Sequence, residues 1–495
     1  MAAAANSKKI KAPKPGETLV RMYRQGLGDC FLITFRGDAG EPIHMLIDCG
    51  VWDGDAATVA QMKRVVEDIR AATDNHLSLL ICTHEHWDHN SGFNQQRAVF
   101  DAMTIDNVWL AWTEDMKDSL ARELKTEFEE RRKKLALALN RLSQAEPKLG
   151  ARVSALAEVG GAFAAAGGVK ANPADAMKWV RDLSGKAKRE FLTPGQVFVI
   201  PGAANAARAF VLGPPHSRPF LNKRLATKKQ KEEGEVYAEK SDAFGLGFAN
   251  RLADDAFFAA VEQHGKSPDD IRGLVGEELD LYQLGLPFDV AYQKRPEDAR
   301  GGFASQYFTD GEKWRRVDDD WLNTAANIAL WMDKSTNNTS LVLAIELLPA
   351  GKVLLMTADA QIGNWLSWRE VKFKAPHDAV TVDDLLDRTV LYKVGHHGSD
   401  NATLRRDGLE KMNHDELVAM IPVNRKSVDA KGWAMPFPPM YRDLRSRTQG
   451  RVIRADEGVM DKLTSTPAPV WKEFLGNVEG DKKKDVFFQY RFRHG

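Results

Sequence analysis

The sequence predicts an α/β fold, and three observations carry that reading. Strand-like apolar runs alternate with a helical stretch near the start of the chain. Strand-like runs resume after a long polar segment in its second half. A dense histidine–aspartate cluster follows directly on one apolar run, where α/β proteins place their sites.

The elements justify this in order. Residues 18–52 hold LVRMYRQGLGDCFLITF, a turn at GDAGEP, and IHMLIDCG, two strand-like runs. ATVAQMKRVVEDIRAAT presents Val59, Met62, Val65, Val66 and Ile69 at helical spacing. LSLLICTH is a short buried strand that ends in the histidine cluster. Residues 113–190 read as a helical insertion, with Leu120, Leu124, Phe128, Leu135, Leu139 and Leu142 at threes and fours and EERRKK as a solvated face. Residues 191–217 return to short strands, FVIP and RAFVLGPP. Residues 218–335 form a second insertion with helical patches. TSLVLAIELL, KVLLMTADA and TVLYKVGHHGS then restore the strand pattern within 336–495. Residues 1–17, rich in Ala, Lys and Pro, read as a disordered leader.

Composition narrows the function. The chain has 495 residues, 43% of them hydrophobic, enough to bury a sizeable core. Lys+Arg and Asp+Glu are equal at 69, so no global basic field exists to hold nucleic acid. Cys30, Cys49 and Cys82 lie in apolar runs without a CxxC pair, and read as reduced core thiols. With no signal-like or membrane-length apolar run, the sequence reads as a soluble, cytoplasmic protein.

The chemistry concentrates at His84, His86, Asp88 and His89, an H-x-H-x-D-H cluster. Imidazole and carboxylate ligate zinc and similar metals. Alternate residues of an extended chain point the same way, so His84 and His86 can share one ion. Asp88 and His89 then need a turn to reach a second. A strand end running into a loop suits this spacing, and a helix suits it poorly.

THEHWDH resembles the hallmark motif of the metallo-β-lactamase superfamily. Other blocks are similar in the family's order: Asp48 in MLIDCG, Asp359 in VLLMTADA, and His396 with His397 in VGHHGS. QGLGDCFLI, NNTSLVLAIEL and KVGHHGS resemble the hydrolase domain of ComEC-type DNA-uptake proteins and their stand-alone relatives. The resemblance implies a four-layer αββα sandwich interrupted by the two insertions. It implies a site of two divalent metal ions, zinc first and manganese second. Asp359 would bridge the two ions. One of His396 and His397 would be a ligand, the other a neighbour of it. Asp48, Asp29, Asn338 and Ser340 would support the ligands. The mid-chain ligand histidine of the superfamily is replaced here by FVLGPPHS, where His216 is either a ligand or a bystander.

The implied activity is metal-dependent hydrolysis by an activated water, foremost of phosphodiesters in nucleic acid. Lys223, Arg224, Lys228, Lys229, Lys231, Arg405 and Arg406 could contact phosphates. Alternatives are a small-molecule hydrolase acting on a nucleotide, lactone or thioester, and an effector subunit of a multi-protein system such as anti-phage defence. The insertions could dock a protein partner or a second copy.

Overall fold

Runs in which nearly every side chain is apolar form strands covered on both faces. LLIC, for example, is a strand buried along its whole length. The computed structural model describes residues 9–129, 173–183, 187–223, 227, 230, 234–237, 336–430, 433–480 and 485–495. Eighteen strands are assigned among them. They are β1 (Glu17–Tyr23), β2 (Phe31–Arg36), β3 (Pro42–Ile47), β4 (His76–Leu77), β5 (Leu79–Cys82), β6 (Thr104–Ile105), β7 (Asn107–Ala111), β8 (Lys188–Leu192) and β9 (Val197–Val199). There follow β10 (Ala207–Gly213), β11 (Val342–Leu347), β12 (Lys352–Met356), β13 (Thr389–Lys393), β14 (Val418–Ile421), β15 (Val452–Arg454), β16 (Gly458–Val459), β17 (Val478–Glu479) and β18 (Phe487–Arg493).

The strands form two eight-stranded sheets, ordered β17-β18-β1-β2-β3-β5-β7-β8 and β16-β15-β14-β13-β12-β11-β10-β9, with β4 and β6 paired apart. Each sheet is mixed. In the first, β3, β5, β7 and β8 run parallel. In the second, β12 to β15 run parallel.

Alternation along the strands sorts the side chains onto two faces. Phe31, Ile33, Met45, Ile47 and Ile81 of the first sheet join Leu343, Ile345, Leu354, Met356 and Met420 of the second in one apolar cluster. The opposite face of the first sheet, with Leu32, Leu46, Leu80 and Leu110, packs on helix α1 (Ala56–Ala72) through Met62, Val65, Val66 and Ile69. Asp55 starts that helix by accepting the Ala57 and Thr58 amides at 2.9 and 3.1 Å. The opposite face of the second sheet, with Val342, Ala344, Leu355 and Tyr392, clusters with Trp365, Leu385, Leu386 and Met440 from its own helices. Mixed α/β architecture is therefore as the sequence predicts. Cys30, Cys49 and Cys82 are buried free thiols, also as read.

The chain divides into two compact units. Residues 1–122, 167–239 and 334–495 form the unit with both sheets, and 123–166 with 240–333 form the other. Most of the second unit lies outside the described residues, as do Leu135, Leu139 and Leu142 of the expected long helix. Residues 119–129 of that helix are helical.

Two boundaries differ from the sequence reading, and one pairing goes beyond it. Ile10, placed in the leader, is buried, and its amide donates to Ala72 O at 2.8 Å. Residues 173–192, mostly assigned to the first insertion, belong to the sheet-bearing unit: β8 pairs with β7 in parallel. The C-terminal β18 returns to pair with β1 in the first sheet, a long-range pairing that periodicity does not reveal. Among the described residues no helix is long and apolar enough to cross a membrane.

Candidate metal centre

The cluster starts where β5 ends. His86 is extended, with φ −113°, and caps helix α2 (Trp87–Gln95). Asp88 and His89 thus occupy the first turn of a helix, not the loop the spacing suggested. A carboxylate in that turn faces the positive end of the helix dipole. Successive helical residues point about 100° apart, so Asp88 and His89 approach the centre from different sides.

Glycines let this turn press against its neighbours. A Cβ on Gly50 would lie 2.2 Å from the Asp88 carbonyl carbon, and one on Gly28 2.6 Å from Asp88 O. The Asp29 amide donates to Asp88 O at 2.9 Å and the Cys49 amide to His89 O at 2.8 Å. The backbone that carries both side chains is therefore fixed from two loops.

Two turns of the second sheet complete the site. After β12, Ala358 adopts φ 46° and delivers Asp359. After β13, His396 and His397 adopt φ 42° and 54° in succession, a left-handed conformation uncommon outside glycine.

Four buried side chains meet here: Asp88, His89, Asp359 and His397, with ligand atoms all within 4.8 Å of one another. His397 Nε2 lies 3.0 Å from Asp88 Oδ2 and 4.0 Å from Asp359 Oδ2. His89 Nε2 lies 3.1 Å from Asp359 Oδ2 and 3.9 Å from Asp88 Oδ2. Ligands about 2.0–2.2 Å from a tetrahedral zinc would stand about 3.3–3.6 Å apart. The four separations bracket that spacing.

The donor set also fits a cation chemically. Nδ1 of His397 donates to Pro422 O at 2.8 Å, and Nδ1 of His89 to Asp48 Oδ2 at 2.7 Å. Both rings are thereby oriented with Nε2 inward, the arrangement that supports metal-ligating histidines. His84 Nε2, His89 Nε2, Asp88 Oδ1 and Asp359 Oδ2 are buried without a hydrogen-bond partner. Such atoms are costly unless something binds them.

Electrostatics agree. Burial disfavours charge on His89, yet Asp359, Asp29, Asp48 and Asp88 hold its pKa well above the usual imidazole value. For His397, burial is likewise outweighed by the Asp88 hydrogen bond and Asp359, and its pKa is raised. Burial would raise Asp88, but His89 and His397 bring it down to about 2. Asp359 is held well below the usual carboxylate range against its burial, chiefly by His89 and His396. Burial and the neighbouring His89 and His86 push His84 well below its usual value. The cluster thus attracts cations, with protons and metal ions competing for the same atoms.

The remaining predicted residues fall into place around it. The His84 ring stands 4.6 Å from that of His86 and 4.2 Å from that of His89. Asp48, at φ 55°, also accepts the Thr83 amide and hydroxyl at 2.8 and 2.7 Å. Ser340 Oγ lies 3.4 Å from His84 Nδ1 and accepts the Asp359 amide at 3.2 Å. Asn338 is further out. It donates to Leu221 O and Lys223 O at 3.1 and 2.9 Å and shapes a turn. Asp29 pairs with the Lys393 ammonium. Of the two late histidines, His397 joins the cluster. His396 turns its Nδ1 to Ser399 Oγ at 2.8 Å, with Nε2 4.0 Å from Asp359 Oδ2.

His216 does not join it. Its Nε2 lies 2.8 Å from Asp118 Oδ2, its side chain is 45% exposed, and its ring rests 4.1 Å from that of Trp112. Trp112 Nε1 also donates to Pro214 O at 2.9 Å, which directs this loop toward Asp118. Of the two readings of His216, ligand and bystander, this placement favours the bystander.

Two site residues escaped the sequence reading. Thr83 links Asp48 to the motif, and Lys393 is a buried cation beside Asp29 and Asp359. A lysine inside the apolar run TVLYKV, directly before the histidine pair, was the available signal for the second. Among the proposed phosphate contacts, Arg405 is paired with Glu410 at 2.9 Å, and Arg224, Lys228, Lys229 and Lys231 lie outside the described residues.

The described side chains could hold a metal ion at Asp88, His89, Asp359 and His397. Comparison with family models, curated proteins and solved structures gave no match to this chain.

Proposed function

We propose that this protein is a metal-dependent hydrolase of the metallo-β-lactamase kind, built as a four-layer αββα sandwich. The observation that carries the proposal is the buried quartet Asp88, His89, Asp359 and His397, joined by His84 and His86 at the ends of parallel strands. In this reading the quartet would hold one divalent ion, and His84 and His86 with Asp359 would hold a second, zinc foremost and manganese next. Bound there, divalent ions lower the pKa of a water toward neutrality and offset negative charge that develops on the substrate.

The chain's own residues do the rest. Asp48 and the Pro422 carbonyl hold His89 and His397 with Nε2 inward. Asp88 would orient the attacking water. The low pKa of Asp88, about 2, keeps it ionised across the working range. Nucleic acid phosphodiesters are the leading substrate class, on the strength of the QGLGDCFLI and KVGHHGS blocks.

Elemental analysis of protein purified without chelator tests the site, with about two ions per chain expected. Single-stranded DNA, duplex DNA, RNA, cyclic nucleotides, a lactone and a thioester are then offered with Zn²⁺, Mn²⁺ or Mg²⁺. Cleavage of a nucleic acid that Asp88→Ala abolishes supports the proposal. Less than half an ion per chain after reconstitution sinks it, and turnover of only the lactone or thioester moves the substrate class.

A further inference from the structure

We infer that Lys393 is a positioning residue that clamps the turn carrying Asp359 and fixes which carboxylate oxygen faces the centre. The inference rests on the metal-site reading above and assigns a further residue to it.

Lys393 ends β13, and its side chain is 1% exposed. A lysine so deep in a protein is strongly unfavourable unless its charge is answered. It is answered on three sides. The ammonium pairs with Asp29, stands 3.5 Å from Asp359 Oδ1, and donates to Ala358 O at 2.7 Å. The backbone takes part too, since Thr357 Oγ1 donates to Lys393 O at 2.8 Å. One residue thereby grips the Thr357–Ala358–Asp359 turn through its side chain and its carbonyl. Within that turn Ala358 sits at φ 46°, a conformation that persists only when its surroundings enforce it.

The consequence for Asp359 is a division of labour between its oxygens. Oδ1 accepts the His396 amide at 3.0 Å and faces the ammonium. Oδ2 has no hydrogen-bond partner and lies 3.1 Å from His89 Nε2. The protein holds one oxygen and presents the other. A competing explanation is that Lys393 merely neutralises Asp29. The two differ when both charges are removed together, because the pair's net charge does not change but the grip on the turn is lost.

The test is zinc uptake by chelator-stripped protein, read by competition with a chromophoric chelator, alongside thermal unfolding of the stripped protein. Lys393→Met/Asp29→Asn should unfold in one cooperative transition and bind zinc about 10–100-fold more weakly, the range for lost support of a ligand. Thr357→Val nearly keeps the shape of a buried side chain and removes the hydroxyl, with its bond to Lys393 O and its contact with the Tyr392 hydroxyl. It should fold and weaken zinc binding severalfold. Wild-type affinity in a folded double variant, or in Thr357→Val if the double variant fails to fold, overturns the clamp. Failure of the wild type itself to take up zinc instead sinks the metal-site reading on which the clamp rests.

Discussion

Replacing Asp48 by asparagine should disable the centre without touching any residue of the quartet. Three donors converge on this carboxylate: His89 Nδ1 at 2.7 Å, the Thr83 amide at 2.8 Å and the Thr83 hydroxyl at 2.7 Å. Asparagine offers one oxygen and one NH₂ in their place. Its backbone poses no problem, because asparagine tolerates the φ of 55° found here. If its NH₂ faces His89, Nδ1 must become an acceptor, and the ring proton moves to Nε2. That atom is the one 3.1 Å from Asp359, so the swap blocks the lone pair a metal would use. If its oxygen faces His89, a Thr83 donor is left buried without a partner.

Either outcome costs about 1–3 kcal/mol. Losses of this kind typically weaken metal binding about 10–100-fold, which is about 1.4–2.8 kcal/mol at 1.4 kcal/mol per tenfold. The two scales agree. Zinc affinity by chelator competition is the assay, with circular dichroism to confirm the fold. Wild-type affinity in a folded Asp48→Asn protein would refute the claim that Asp48 sets the tautomer of His89.

Further outcomes follow from the same geometry. His216→Ala should leave metal content and activity intact and cost under about 1 kcal/mol in thermal unfolding, because an exposed pair is worth little; loss of one ion would restore it as a ligand. Asp88→Ala/His89→Ala should lower hydrolysis by orders of magnitude while the chain still folds, and retained turnover of the true substrate would show the quartet to be idle. Metal affinity should rise with pH through the neutral range, about tenfold per unit for each proton displaced, because His89 and His397 are both raised and must lose Nε2 protons to bind; titration calorimetry in two buffers of different ionisation enthalpy counts those protons. In chelator-stripped protein the raised His89 has the opposite effect. Its stabilisation is full below the unfolded imidazole value near 6.5 and is lost as pH rises through the folded value, so melting at pH 6 should exceed melting at pH 9.

How much of this was legible depended on range. Fully apolar runs such as LLIC and the VLLM of β12 must be buried on both faces, so strands between layers could be read directly. The α1 stripe of Met62, Val65, Val66 and Ile69 was equally plain. Pairing partners were not. Nothing local in FFQYRFR says that it completes the first sheet beside β1, more than 450 residues away in sequence. The helical start at Trp87 was missed for a related reason. H-x-H spacing favours an extended chain, but only His84 and His86 obey that rule, and the helix begins immediately after them.

The histidine pair shows where sequence spacing stops and backbone geometry decides. His396 and His397 are chemically identical and adjacent, so residue type cannot rank them. The turn after β13 ranks them by placing both at positive φ, which rotates consecutive side chains to different partners. His397 finds the Pro422 carbonyl behind it and Asp88 in front, so its Nδ1 is occupied and its Nε2 is directed at the quartet. His396 finds Ser399 and Gln361 at Nδ1, and its amide holds Asp359 Oδ1. Burial lowers its pKa to about 4, which leaves the ring neutral at working pH. One histidine therefore serves with its ring and the other with its backbone. The glycine that follows, Gly398 at φ 87°, extends the left-handed stretch at a position where a Cβ would lie 2.9 Å from Pro436. HHG is thus a single conformational unit in which backbone geometry, not residue identity, decides which ring joins the quartet.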